Sequence, residues 1–228
     1  MTLRITYGLL AMLAFSGCAD RSTTSQEMVQ STAKEVIESG EGFVLRVAPE
    51  FDDLVSADAV IEKLADGFGF TEGPHWIEYH GLYGGAVLFS DIPGNQIVLW
   101  SSDHSISSFL TPVFEGDHDG SDGFLDPRGF IGPNGITTDA EGRVTFAEHG
   151  NRRISRIEPD GSRTVVVDAY EGNRLNSPND LIFHSDGSLY FTDPPYGLAQ
   201  QDDDLEKELA MNGIYRLATD GRLDLLAT

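Results

Sequence analysis

Hydrophobic and polar residues alternate over short stretches along most of the chain, which is the pattern of half-buried β-strands. Two such stretches, Arg143-Val144-Thr145-Phe146 and Ser188-Leu189-Tyr190-Phe191, each follow a turn that contains an acidic residue and a glycine. A third, Gly213-Ile214-Tyr215-Arg216-Leu217, runs into a turn at Asp220-Gly221. Because Asp-Gly pairs favour tight turns between strands, the pattern predicts an all-β protein.

The strand pattern repeats with a period of 45 residues. The pairs at this spacing are Pro133 and Pro178, Asn134 and Asn179, Gly142 and Gly187, Phe146 and Phe191, and Glu148 and Asp193. Four-stranded repeats of about 40–50 residues are the blades of β-propellers. Each blade buries its faces against two neighbours, so three blades cannot close a ring. We therefore expect residues 42–228 to form the N-terminal part of a longer propeller.

Three segments of the chain give weaker signals. Residues 60–64 are mostly apolar and are predicted to form a strand, and residues 52–59 are predicted to be a loop or a short helix. Residues 117–129 are rich in Gly and Asp, so we expect a long exposed loop there.

Two strand-end acids have a structural interpretation. Asp91 and Asp193 each close a predicted strand. We expect their carboxylates to accept hydrogen bonds from backbone amides of nearby turns, which is the common use of Asp at such positions.

Composition and net charge limit the classes of partner that the chain could bind. Hydrophobic residues make up 40% of the chain and charged residues 23%, as in soluble globular proteins. The net charge is −22 at pH 7. Such a charge argues against nucleic acid as a partner, because phosphates are bound by Lys and Arg. It also raises the local concentration of cations, although its main effect is on solubility.

The first 18 residues have the features of a secretory signal. A short basic start is followed by an apolar run of about ten residues and a small-residue exit, Ser16-Gly17-Cys18. The run is too short to span a bilayer. The exit resembles a bacterial lipobox, in which the cysteine is lipidated. Cys18 is the only cysteine of the chain, so no internal disulfide can form. The alternative is an ordinary signal peptide with a chance cysteine.

Residues 19–41 are polar and lack periodicity, which is typical of a tether. Signal, lipobox and tether together predict an exported lipoprotein of the bacterial cell envelope, at the periplasmic face or the outer membrane. Its only attachment to the membrane would be the lipid on Cys18.

Two oxygen-bearing side chains stand where the inner strand of a blade begins. Glu72 precedes a Gly-Pro pair, and Asn179 follows Pro178. Inner strands start near the central channel of a propeller, so both side chains can reach the axis. Carboxylate and amide oxygens suit a hard divalent cation. We expect Ca²⁺, with Mg²⁺ or Zn²⁺ as alternatives, because the sequence has no His and Cys cluster at structural zinc spacing.

Three ordered groups of residues carry a family resemblance. They are Glu72-Gly73-Pro74-His75-Trp76 with Phe89-Ser90-Asp91-Ile92-Pro93-Gly94-Asn95, then Pro133-Asn134-Gly135-Ile136 with Glu148-His149-Gly150-Asn151-Arg152-Arg153, then Asn176-Ser177-Pro178-Asn179-Asp180 with Tyr190-Phe191-Thr192-Asp193-Pro194-Pro195-Tyr196-Gly197. From about residue 60 to the end of the chain, this set resembles the gluconolactonase branch of the senescence-marker-protein/gluconolactonase/luciferin-regenerating-enzyme-like family. The resemblance implies a six-bladed β-propeller that binds a divalent metal on its axis and hydrolyses lactones.

The resemblance also implies roles for single residues. Glu72 and Asn179 match two metal ligands of the family, and Asp180 would support them or hold the strand start. Asn134 is either channel lining or a turn residue. His149 either lines the substrate mouth or is a hydrogen-bonded loop histidine. The two remaining ligands, an Asn and an Asp that is also the candidate base, belong to later blades, so the catalytic Asp is expected beyond residue 228.

The expected function is metal-dependent hydrolysis of a sugar lactone or a similar small cyclic ester. Activity would be incomplete in these 228 residues, because about half of the metal ligands and the base would be missing. The alternative is a non-catalytic, envelope-anchored propeller that binds a ligand or a protein partner and keeps its metal for structure.

Overall fold

The computed structural model describes residues 37–39, 42–78, 85–103, 105–116 and 130–228. It divides into two compact units, residues 1–63 and 64–228. In the first unit, the strands β1 (Ile37–Ser39) and β2 (Gly42–Val44) pair antiparallel, and a 3₁₀ turn spans Pro49–Asp53. Arg46 donates hydrogen bonds to the Asp52 carboxylate and to the carbonyl oxygen of Val55.

The second unit contains three four-stranded antiparallel sheets, each with its strands in chain order. The first sheet consists of β3 (Thr71–Ile77), β4 (Ala86–Asp91), β5 (Gln96–Ser101) and β6 (Ile106–Leu110). The second sheet consists of β7 (Pro133–Thr138), β8 (Val144–Glu148), β9 (Arg153–Ile157) and β10 (Arg163–Val167). A two-stranded ribbon follows, with β11 (Ala169–Tyr170) and β12 (Asn173–Arg174). The third sheet consists of β13 (Leu181–Phe183), β14 (Leu189–Asp193), β15 (Gly213–Leu217) and β16 (Leu223–Ala227). The all-β prediction is confirmed.

The 45-residue repeat is a structural repeat. Ile136 of β7 pairs with Phe146 of β8, and Leu181 of β13 pairs with Phe191 of β14, so both pairings are offset by the same 45 residues. The two sheets are therefore successive copies of one blade.

The hydrophobic core lies between successive sheets. One cluster, shared by the first and second sheets, includes Leu88 and Phe146. The next residue, Ala147, belongs to a second cluster with Phe191 and Tyr215 of the third sheet. Neighbouring residues of a strand face opposite sides of the sheet, so the second sheet contributes to both clusters. Burial of one large apolar side chain stabilises by about 1.5–3 kcal/mol, which makes this packing the main force that holds the blades together.

The predicted strand at residues 60–64 is wrong. The structure shows no strand pairing there, and Val60, Ile61 and Leu64 are 65%, 43% and 47% exposed. A strand needs a partner edge, and an apolar run alone does not provide one. The 3₁₀ turn at Pro49–Asp53 overlaps the start of the segment predicted as a loop or a short helix.

Several predicted features lie outside the described residues, namely the signal segment, Cys18, most of the tether and the loop at residues 117–129. Among the residues that the structure does describe, no helix is long and apolar enough to cross a membrane.

Candidate functional site

The inner strands of the three sheets each bring an oxygen-bearing side chain to one cavity. Glu72 is the second residue of β3, Asn134 is the second residue of β7, and Asn179 precedes β13. Together with Asp180 they line a cavity of about 220 Å³. We refer to Glu72, Asn134 and Asn179 as the axial residues. The structure thus brings four candidates from the starts of the inner strands to one cavity, with at least one from each sheet. They are Glu72, Asn134, Asn179 and Asp180.

Close backbone approaches place the axial residues side by side. The Gly135 amide donates to the Asn179 carbonyl oxygen at 2.8 Å. A Cβ on Gly135 would lie 2.8 Å from that oxygen and 2.6 Å from Asp180 Oδ1. Gly73 has a φ of +57°, and a Cβ there would lie 2.4 Å from the Asn134 carbonyl oxygen. Because side chains do not approach backbone so closely, the glycine after each of the first two axial residues lets the inner strands meet.

Hydrogen bonds connect the axial amides to a buried histidine. Asn134 Nδ2 donates to Asn179 Oδ1 at 2.7 Å and lies 3.0 Å from His149 Nε2. On the other side of the ring, His149 Nδ1 lies 3.0 Å from the carbonyl oxygen of Phe130. A carbonyl oxygen only accepts, so Nδ1 carries the proton and Nε2 accepts from Asn134.

His149 is therefore a hydrogen-bonded histidine, and it also lines a cavity beside the axial residues. It is 1% exposed. Burial lowers the pKa of His149 to about 4, although the hydrogen bond to the Phe130 carbonyl opposes the shift. The imidazole is consequently neutral at pH 7.

A second cavity, of about 250 Å³, shares all three axial residues with the first and has largely apolar walls. Its other lining residues are Phe70, Ile92, Phe130, His149, Tyr196 and Gln201. The rings of Phe70 and Phe130 stack with centroids 5.8 Å apart. Sequence reasoning did not single out these walls, because their aromatic residues come from separate loops and carry no common spacing.

Buried polar groups anchor the segment that leads into the third sheet. Asp193 accepts backbone hydrogen bonds from Asn176 and Ser177, both at 2.7 Å. Asp91 accepts one from Gly69 at 3.0 Å, so the prediction that these two acids bind backbone amides is confirmed. Burial raises the pKa of Asp193 to about 6, even though the two hydrogen bonds favour its ionised form.

Arg152 ties the same segment to the insertion after β14. Its guanidinium donates to the carbonyl oxygens of Leu175 at 2.7 Å and Glu206 at 2.8 Å. Burial lowers the pKa of Arg152. We did not single it out from the sequence, where its only signal was its place in the Asn151-Arg152-Arg153 stretch.

The axial donor set fits a hard divalent cation. Glu72 offers a carboxylate, and Asn134 and Asn179 offer amide oxygens, around shared cavities. Within the described ranges, no three His, Cys, Asp or Glu side chains form a metal-binding cluster. A cation at this place would therefore depend on the amide oxygens, which belong to the ligands that Ca²⁺ takes in proteins.

Comparison with known proteins decides the family. Residues 70–228 match the family model for the SMP-30/gluconolactonase/LRE-like region. The chain belongs to this family. A gluconolactonase of Zymomonas mobilis subsp. mobilis is 39% identical over 186 residues, which are 81% of this chain and 50% of that protein. The resemblance inferred from the ordered motifs is confirmed.

Two solved structures share the fold with this SMP-30/gluconolactonase family member. An X-ray structure assigned as a gluconolactonase has a TM-score of 0.64 and 36% identity, covering 78% of this chain and 56% of the other. A Xanthomonas campestris gluconolactonase has a TM-score of 0.58 and 34% identity, covering 72% of this chain and 49% of the other. The chain thus spans about half the length of these relatives.

Proposed function

We propose that this family member acts in metal-dependent hydrolysis of a sugar lactone or a similar small cyclic ester, with Ca²⁺ as the cation. One observation carries the proposal: three successive sheets present Glu72, Asn134 and Asn179 to a common cavity. The relatives named gluconolactonases support lactones as the substrate class.

The proposed chemistry assigns a task to each group. When bound, a divalent cation polarises the lactone carbonyl and stabilises the negative charge that develops on its oxygen. Glu72 would supply the charge that holds the cation, and Asn179 Oδ1 would supply a second oxygen. Asn134 Oδ1 would supply a third oxygen to the cation. The aromatic walls of the second cavity would exclude water and pack on the apolar face of the lactone ring.

The base that activates water is assigned, as part of this proposal, to an Asp beyond residue 228. Asp180 lines the first cavity, but its Oδ1 accepts a hydrogen bond from the Leu181 amide at 2.9 Å. We propose that Asp180 instead holds the start of β13 beside Asn179.

A lactonase assay on two proteins tests the proposal. One is the 228-residue chain, and the other is this chain extended by the second half of the Zymomonas mobilis gluconolactonase. We expect the extended protein to hydrolyse gluconolactone until chelator is added, and the shorter one to be slower by about 10²-fold or more, the contribution of a positioned base. A folded, calcium-loaded extended protein without turnover would contradict lactone hydrolysis. Equal turnover from both would contradict the assignment of the base.

We also propose export and lipidation at Cys18, on the evidence of the sequence. Labelling of expressing bacteria with a fatty-acid analogue should mark the parent chain and leave Cys18→Ala unmarked. Equal label on both would contradict lipidation at this residue. Stable anchoring would require more than one acyl chain, because a single chain binds membranes only marginally.

A further inference from the structure

The Phe130 carbonyl stands at the start of a chain of hydrogen bonds that ends at the axial residues. Its position is fixed by the backbone. The His149 amide donates to the Gly132 carbonyl at 3.1 Å, and the Gly150 amide donates to the Ile131 carbonyl at 3.0 Å. The Phe130 carbonyl oxygen is thereby held 3.0 Å from His149 Nδ1. This contact fixes the tautomer of His149, since a carbonyl oxygen has no hydrogen to give.

The tautomer in turn fixes the direction of the Asn134 amide. A neutral ring with its proton on Nδ1 presents a lone pair at Nε2, so the Asn134 atom 3.0 Å away must be the donor Nδ2. The second hydrogen of Nδ2 goes to Asn179 Oδ1 at 2.7 Å. The reverse orientation would set the Asn134 oxygen against two acceptors, the His149 lone pair and Asn179 Oδ1.

This arrangement has a consequence for the cavities. Asn134 Oδ1 makes no hydrogen bond within the described part of the chain, and it is not among the fully buried atoms that lack a partner. It is therefore free to accept from a ligand. Asn179 Oδ1 uses one lone pair for Asn134 and keeps the other. Glu72 adds a carboxylate to the same two cavities.

We propose that His149 is a positioning residue, which holds the Asn134 and Asn179 amides so that both carbonyl oxygens face the axial cavities as acceptors for a divalent cation. The cation part of this inference rests on the proposed function. The orientation part rests only on the hydrogen bonds. His149 does not touch the cation in this account, and its effect passes through Asn134.

Nitrogen NMR of the ¹⁵N-labelled chain tests the orientation directly. At neutral pH we expect His149 to show a protonated Nδ1 and an unprotonated Nε2, with its signals assigned by their loss in His149→Gln. An Nε2–H tautomer, or a ring protonated on both nitrogens, would overturn the proposal, because neither can accept from Asn134.

Two substitutions test the positioning. His149→Phe keeps a ring of similar size but offers no acceptor, whereas His149→Gln can place an oxygen near the position of Nε2. We expect His149→Phe to speed hydrogen exchange of the Asn134 side-chain amide by about tenfold and to weaken Ca²⁺ binding by about tenfold, as loss of a group that orients a metal ligand does. His149→Gln should restore both toward the parent values.

The matched control is His75→Phe. His75 also uses Nε2 to reach a side chain, Thr138 Oγ1 at 3.1 Å, but it lines neither axial cavity. We expect this variant to leave Asn134 exchange and calcium binding unchanged. Unaltered Asn134 exchange in folded His149→Phe would overturn the proposal. A parent chain with the expected tautomer and exchange pattern but no calcium binding would leave the orientation standing and remove the cation from the account.

Discussion

Two places in the second sheet differ in their polar contacts: the turns at Asp139 and Glu158, called the outer end, and the start of β7 at Asn134, called the axial end. At the outer end, charges are paired: Arg143 Nε lies 2.7 Å from Asp139 Oδ2, and Arg156 Nη2 lies 2.6 Å from Glu158 Oε1. At the axial end, Asn134 meets another amide and a neutral histidine. No described residue forms an ion pair with the neighbouring carboxylate of Glu72. The charged side chains named at the outer end are thus paired with each other, whereas the axial end has oxygen atoms that can still accept from a ligand.

The largest expected effect comes from breaking the close approach at the axial end. Gly135→Ala would place a Cβ 2.6 Å from Asp180 Oδ1 and 2.8 Å from the Asn179 carbonyl oxygen. We expect the free energy of unfolding in urea to fall by about 3 kcal/mol, because backbone on both sides must move.

The outer end provides the matched control. Gly142 has a φ of +77° and no atom within 4 Å of the Cβ position. Gly142→Ala should cost only about 1 kcal/mol, the penalty of a left-handed backbone for Ala. Equal losses of unfolding free energy in Gly135→Ala and Gly142→Ala would show that the backbone contact at Gly135 is no more closely packed than the turn at Gly142.

A second comparison sets Asp193, at the end of β14, against Asp186, in the turn before β14. Burial raises the folded-state pKa of Asp193 to about 6 from 3.8, so the folded chain binds more protons than the unfolded chain between these values. The contribution of Asp193 to stability therefore falls as pH rises from about 4 to about 6. We expect the parent to lose about 2 kcal/mol relative to Asp193→Asn across this window.

The difference in stability between the parent and Asp186→Asn should change with pH in the opposite direction. Hydrogen bonds from Ser188 lower the pKa of Asp186 to about 2, so its stabilising contribution is present above pH 4 and is lost as pH falls toward 2. Unfolding measured at several pH values gives both profiles. A parent-minus-variant difference for Asp193 that rises between pH 4 and 6 would mean that its backbone hydrogen bonds outweigh its burial.

The smallest effect is expected at the outer ion pairs. The Glu141 side chain is 66% exposed, and its partner Arg143 keeps ion pairs with Asp139 and Glu158, so Glu141→Gln leaves no buried group without a partner. We expect a smaller drop in Tm than for Gly142→Ala, and one that shrinks further in 1 M NaCl, since exposed pairs are screened. A large, salt-independent drop would show that the outer cluster contributes to the core.

The sequence was sufficient for features that depend on local chemistry. The period that relates Phe146 to Phe191 follows from strand alternation and turn residues, and both are readable within a few positions. The apolar run at residues 60–64 satisfied the same criteria but found no partner strand, so the prediction failed there. Pairing depends on residues far along the chain, which a local pattern does not contain.

The same limit applies to the site. Glu72 and Asn179 were singled out from their places in motifs, whereas the hydrogen bonds of Asn134 to His149 and Asn179 depend on packing between sheets. Equivalent positions also differ in partners. Asp193 binds backbone amides, whereas Glu148 at the same place in the repeat binds Arg153 at 3.1 Å. The repeat predicts an acid at both positions but does not predict what it binds.

Calorimetric titration of the chain with Ca²⁺ tests the contrast between the two ends most directly. We predict that the parent binds Ca²⁺. Glu72→Gln should bind it about tenfold more weakly or not at all, because the axial carboxylate is lost. Glu158→Gln removes an outer carboxylate that is paired with Arg156, and it should bind Ca²⁺ as the parent does. Absence of binding by the folded parent, or equal weakening in the two variants, would contradict the claim that the axial end is the part of this fold built for a cation.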